Sequence, residues 1–264
     1  MSKVSAIAFI AYGFFMTFSV HAQVNVAVAA NFRPTLMLLV DAYKKQHPKA
    51  DIHLSTASTG VLYAQIERGA PFDIFLSADS LRPKTLENTG KVILGTRKTY
   101  ALGQLVLWMK GHSSINATNL SLLSGKLAIA NPKLAPFGLA AKQTLQKLGL
   151  FKQLRNQIVL GNSVAQVAQY VETGASQAGF VALSQVFSQH PSVTDYWLVP
   201  SDLYSPIEQQ VIVIKQPSRD QQANQQVMNF YQFILSASGQ QIIMKNGYLS
   251  AQIQLTPPVS PSVQ

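Results

Sequence analysis

From Gln23 onward, short apolar runs and helical periodicities take turns along the chain, and this alternation limits the fold more than any other feature. Strands separated in sequence by helices are covered on both faces, which predicts an α/β architecture of mainly parallel sheets flanked by helices. Residues 24–30 (VNVAVAA) read as a first strand. The next segment, NFRP, opens a helix with Asn31 as its expected cap and Pro34 in its first turn, where a missing N–H costs nothing. Residues 51–57 form a second strand, VLYAQIERG a short helix stopped by Gly69 and Pro71, and residues 72–79 a third strand followed by a helix reaching Gly90.

After GTRKTYALG the pattern starts afresh. QLVLWMKG, KLAIANP, QIVLG and QAGFVALS read as strands. APFGLAAKQTLQKLGL reads as a helix with Ala141, Leu145 and Leu148 on one face. In the helix after Asn162 and Ser163, the residues Val164, Val167, Ala168 and Val171 fall at i, i+3, i+4 and i+7. PIEQQVIVIK runs back as a long strand, and helices near residues 220–235 and 240–245 close the fold. The reset and the return predict two lobes, residues 23–102 with 207–256 and residues 103–206, with a ligand cleft between them and an unstructured tail at 257–264. No repeat of fixed period is present.

Lys3, an uncharged run over residues 4–20 and the sequence Val20-His21-Ala22 form a leader pattern, which predicts export and cleavage after Ala22. The run is shorter than the roughly 20 residues of a membrane span and is diluted by Tyr12, Gly13, Thr17 and Ser19. The chain has no cysteine, so disulfide frameworks, thiolate metal sites, cysteine nucleophiles and lipoprotein anchors are excluded. Its formal charge of +10 is scattered as single residues and pairs such as Lys44-Lys45. Without a basic stripe interleaved with aromatics, no nucleic-acid partner is expected, and a positive field favours encounter with small anions. A monomer is expected.

Reactive motifs are missing. The five histidines are isolated, and no nucleophile elbow, phosphate loop or dinucleotide fingerprint occurs. Asp73 and Asp79 stand roughly 20 Å apart at strand rise, too far for paired glycosidase carboxylates. One is expected to pin the strand start and the other to cap a turn. Neither an enzyme, nor a cofactor, nor a protein-coordinated metal cation is expected. A secreted hydrolase using Ser58 or Ser163 would need a base that no motif provides.

What recurs is a strand ending in small residues with a helix beginning at once: AANF (29–32), ASTG (57–60), APFG (135–138) and GNSVAQ (161–166). Each helix start offers unpaired N–H groups and the positive end of a dipole, and small residues let an anion approach. Each junction alone is an ordinary cap, but two in each expected lobe could face one cleft. None contains Asp or Glu. A donor-only site suits a fully ionised oxyanion such as molybdate, tungstate or sulfate, whereas hydrogen phosphate needs an acceptor for its proton.

In these segments the chain resembles the periplasmic molybdate-binding proteins of ABC transporters. The resemblance runs in order through VAVAANF, ASTGVLYAQIERGAPFDIFLSAD, YALGQLVLWMKG, LAIANPKLAPFGLAAKQTLQKLG, GNSVAQV and GFVALSQV. It implies a two-lobed periplasmic binding protein of the second topological type that closes on one tetrahedral oxyanion and docks on a membrane permease. Molybdate, with tungstate beside it, is the implied ligand, and sulfate or another tetrahedral oxyanion is the alternative. By the same resemblance Asn31 gives a backbone N–H and a side-chain donor, and Ser58 or its neighbour Thr59 gives the hydroxyl-turn contact. Phe137 and Val164 give main-chain N–H groups. Some members bring a tyrosine hydroxyl from the segment that here reads GFVALS, where Ala182 fills the position, so either one donor is lost or Asn31 supplies it.

Overall fold

In the computed structural model, residues 23–112, 115–189 and 195–251 are described. The leader with its cleavage point and the 257–264 tail lie outside them. Eleven strands and ten α-helices follow one another in these residues: β1 Val24–Ala29, α1 Arg33–Gln46, β2 Ile52–Ala57, α2 Thr59–Glu67, β3 Ile74–Ser77, α3 Leu81–Asn88, β4 Lys98–Gly103, β5 Leu105–Trp108, α4 Ala117–Ser121, β6 Leu127–Ala130, α5 Pro136–Lys147, α6 Phe151–Leu154, β7 Ile158–Gly161, α7 Val164–Glu172, β8 Ala178–Ala182, α8 Leu183–Gln189, β9 Tyr196–Leu198, β10 Ile207–Val213, α9 Gln221–Leu235, α10 Ala237–Lys245 and β11 Tyr248–Leu249.

The strands form two sheets, one in the order β11-β4-β10-β3-β1-β2 and one in the order β7-β6-β8-β5-β9. Alternating strand and helix segments give the parallel pairs β1–β2, β1–β3, β6–β7 and β6–β8. The sheets are nonetheless mixed, where the alternation predicts mainly parallel ones. β10 runs antiparallel to β3 and β4, β11 to β4, and β5 to β8 and β9. For β5 and β10 the reason is connectivity: each is the first strand after the chain crosses to the other sheet, and it enters from the opposite end.

Both faces of the first sheet are covered. Val26 and Val28 of β1 join Leu36, Leu39, Phe230 and Ile234 on one side, while Ala27 joins Leu62, Phe75 and Ile212 on the other. That is the period-2 alternation of a strand buried on both faces. The second core includes Trp108, Ile129, Leu145, Val167 and Phe180, and reaches across to Ala29 and Ala78 at the carboxyl ends of the first sheet's strands.

Asp73 and Asp79 do structural work of the expected kind. Asp73 accepts the Asn25 N–H at 2.7 Å and is ion-paired with Arg219 in a site where both side chains are below 10 % exposure. Desolvation lowers the Arg219 pKa from its ordinary value. Asp79 accepts the Arg82 N–H at 3.0 Å at the start of α3 and pairs with the same residue's guanidinium.

Candidate functional site

The parallel strands β1, β2, β3, β6 and β7 all turn at their carboxyl ends into segments that meet in one place, as expected for a crevice where strand order switches direction. There Ala29, Ala30, Asn31, Ser58, Thr59 and Ala78 from the first sheet's side and Ala135, Pro136, Phe137 and Val164 from the second sheet's side line one small cavity. All five residues singled out from the sequence are among them. None of the ten lining residues is charged.

Size does not pick out this site. It is far narrower than a surface groove beside Tyr43 and His47. The groove, however, collects no helix N-terminus, whereas the small cavity is enclosed by three and by the turn that leads into α1. So narrow a space leaves no room for a large ligand.

Small residues create the close approach. A Cβ on Gly138 would sit 2.0 Å from the Ala130 carbonyl oxygen, so α5 lies against β6 only because that position is glycine. The Gly60 N–H donates to the Leu134 carbonyl at 2.8 Å, and a Cβ there would meet that oxygen at 3.0 Å and Arg82 Nη2 at 3.1 Å. Arg82 Nη2 also donates to the Lys133 carbonyl at 3.0 Å. These bonds tie α2 and α3 to the loop that leads into α5, so the two sides are held in contact beside the cavity.

Ser58 is the N-cap of α2, with φ −66° and ψ 150°, yet its side chain makes no capping hydrogen bond. Its residue is 5 % exposed, and its Oγ has no hydrogen-bond partner among the described residues. Thr59 differs, because its Oγ1 accepts the Ala78 N–H at 3.1 Å. Its proton stays free to be donated. Phe137 and Val164 stand in the first turns of α5 and α7, where N–H groups lack intrahelical acceptors. The N–H groups of Asn31, Ser58, Thr59, Phe137 and Val164 meet no other acceptor among the described residues. The Phe137 ring points elsewhere, toward Gly103 at the crossing between the sheets.

One expectation needs correction. Asn31 is not the cap of α1: the N-cap is Phe32, and no side chain caps that helix. Instead Asn31 Nδ2 donates to Gln209 Oε1 at 2.8 Å and to the Tyr248 hydroxyl at 3.1 Å, because Asn31 sits over a buried polar cluster rather than at the helix mouth. Ala182, the position compared with a tyrosine donor, is a buried β8 residue paired with Leu105 and absent from the cavity lining. The residues of that segment that reach the site's backbone come next in the chain. Ser184 Oγ donates to the Asn31 carbonyl at 3.1 Å and Gln185 Nε2 to the Ala30 carbonyl at 3.2 Å.

Sequence reasoning missed Ser184, Gln185, Gln209, Tyr100 and Tyr248. A signal was present for Gln209, since IEQQVIV places polar amides inside a run that reads as a buried strand. Tyr248 gave no signal, because a two-residue strand carries no periodicity. Its hydroxyl lies 2.9 Å from the Asn31 carbonyl and 2.8 Å from Ser184 Oγ. Burial raises its pKa, opposed by the contacts with Ser184 and Asn31, and burial followed by repulsion from Tyr248 raises that of Tyr100. Both hydroxyls therefore stay protonated, and the cluster is uncharged.

A sequence profile described as bacterial extracellular solute-binding protein matches residues 24–249. The molybdate-binding protein ModA of Azotobacter vinelandii is 40% identical over 213 residues, 79% of this chain and 84% of the relative. ModA of Rhodobacter capsulatus is 35% identical over 230 residues, 86% and 88% of the two chains. Among solved structures, the A. vinelandii periplasmic molybdate-binding protein superposes with a TM-score of 0.79 at 37% identity, covering 86% of this chain and 99% of its own.

Proposed function

The chain belongs to the bacterial extracellular solute-binding proteins, and from that premise we propose that it captures molybdate, with tungstate as a second ligand, in the periplasm and delivers it to the membrane permease of an ABC importer. The observation that carries the reading is the Ser58 hydroxyl, buried in the cavity wall and, among the described residues, without a partner beside N–H groups that also lack acceptors. A hydroxyl left dry costs free energy unless something accepts its hydrogen bond, and an ionised oxyanion accepts from every direction at once.

The donors need no formal positive charge to hold such a ligand. Hydrogen bonds to a charged group contribute about 1.5 to 3 kcal/mol each, and helix starts add about 0.3 to 1 kcal/mol apiece. The lining carries no His, Asp or Glu beside Ser58, which supports binding over hydrolysis. It also carries no carboxylate to accept the proton of hydrogen phosphate, which supports selection of fully ionised anions. Donors contributed from both sides reward closure: an anion held by Ser58 and Thr59 gains the Phe137 and Val164 N–H groups only when the two sides meet. The closed, loaded form is the one a permease would recognise.

A thermal-shift panel on the leaderless protein tests this. Molybdate and tungstate raise Tm at concentrations where sulfate and phosphate leave it unchanged. Equal stabilisation by sulfate would replace molybdate with a general oxyanion role, and no response to any of the four would remove the cavity from consideration as an anion site.

A further inference from the structure

Behind the cavity wall, Asn31 is 1 % exposed and Gln209 0 %, and both belong to a buried polar cluster with Tyr100, Ser184 and Tyr248. Asn31 Nδ2 and the Tyr100 hydroxyl both donate to Gln209 Oε1, at 2.8 and 3.0 Å. In this polarity two groups are left over. Among the described residues, Gln209 Nε2 is buried with no partner and no donor reaches Asn31 Oδ1. A buried N–H group without an acceptor is one of the costlier defects a core can hold, and a carbonyl oxygen on a cavity-lining side chain repels an anion.

The two ends of a carboxamide have nearly the same shape but opposite roles, one donating twice and the other accepting. Turning both amides over keeps the short contacts and reverses the donors. Gln209 Nε2 then has Asn31 Oδ1 and the Tyr100 oxygen as acceptors, and the Tyr248 hydroxyl can donate to Asn31 Oδ1. The orphan donor gives way to a carbonyl oxygen in the same place, a group more easily left unpaired, and the Asn31 N–H groups are released toward the cavity.

We propose that Gln209 is a positioning residue for the anion site: with an oxyanion bound, one of its amide N–H groups holds Asn31 Oδ1 and thereby turns the Asn31 N–H groups onto the ligand. The inference rests on the oxyanion reading of the cavity and names the residue that enforces donor-only selectivity there. So long as Gln209 donates, Asn31 cannot offer its carbonyl to a protonated anion. Because the tyrosines around the amides stay protonated, nothing in the cluster competes by carrying charge.

Calorimetry with molybdate on the parent, Gln209→Leu, Gln209→Glu, Asn31→Ala and the Asn31→Ala/Gln209→Leu pair tests it. Both Gln209 variants raise Kd about tenfold or more. Glu is the stronger, because its oxygens only accept and so capture the Asn31 N–H groups. In the Asn31→Ala background, Gln209→Leu has no further effect, which a general loosening of the fold would not produce. On ¹⁵N-labelled parent protein, tungstate shifts the side-chain amide resonances of both Asn31 and Gln209, a readout that requires no variant to fold. Unshifted amide resonances, or Gln209→Leu binding within about twofold of a parent that binds, overturn the inference alone. A parent that binds neither molybdate nor tungstate overturns the functional reading and this inference with it.

Discussion

Ser58 and Ser163 occupy the same position in equivalent junctions, each an extended N-cap residue between a parallel strand and the helix that follows it, on opposite sides of one cavity. Ser163 spends its hydroxyl on its own helix by accepting the Gln166 N–H at 3.3 Å. Ser58 spends its hydroxyl on nothing within the described residues. The difference extends to the whole of each side. The first sheet's side faces the cavity with two hydroxyls and an amide. The second presents only main-chain N–H groups, with Ala135, Pro136, Phe137 and Val164 as its side chains. One side can therefore be altered atom by atom through its side chains, whereas the other depends on where the backbone lies.

That dependence gives the largest expected effect. Gly138→Ala sets a methyl group 2.0 Å from the Ala130 carbonyl, an overlap that neither α5 nor β6 can relieve while both stay in place. We expect a loss of about 3 kcal/mol of stability, read as a lowered urea midpoint, together with loss of molybdate binding as the Phe137 N–H is carried away. Unchanged binding in this variant would show that the second side does not rely on backbone position.

Much of this arrangement is legible in the sequence, and the reasons differ from part to part. The alternation of strand and helix is written in apolar periodicity, so the sheets, the helices and the four junctions can be read from it. The five cavity residues come together because strand carboxyl ends of a layered α/β fold converge, a consequence of topology that needs no distances. What cannot be read is which polar atom points where. Nothing local distinguishes the free hydroxyl of Ser58 from the Ala78-bound hydroxyl of Thr59, since the contact comes from a strand 19 residues away. Asn31 looks like a cap because its partners, Gln209 and Tyr248, lie 178 and 217 residues further along. Antiparallel pairing of β10 escapes for the same reason: a strand's direction is set by how the chain returns, not by its own residues.

The next effect isolates a main-chain donor. Val164→Pro removes the Val164 N–H while keeping a residue well suited to the first helical position. Ser163 has φ −148° and ψ 165°, the extended backbone a following proline requires. The helix should therefore persist, with circular dichroism and Tm near those of the parent, while molybdate affinity falls by about 3 kcal/mol, the upper end for a bond to a charged ligand. Retained affinity would confine the anion to the first side of the cavity.

The smallest effects return to the two serines. Ser58→Ala removes a buried donor that has no partner among the described residues, so stability without ligand should hold or rise slightly, while molybdate binding weakens by about 2 kcal/mol, roughly a thirtyfold change in Kd. Ser163→Ala removes a working cap, so it should lower stability by about 1 kcal/mol and leave affinity close to that of the parent. Calorimetry and denaturant titration of the two variants together decide the matter, because the expected losses fall in opposite columns. If Ser58→Ala instead destabilised the ligand-free protein and spared affinity, the two junctions would be equivalent caps after all, and contrast between the sides would reduce to backbone geometry alone.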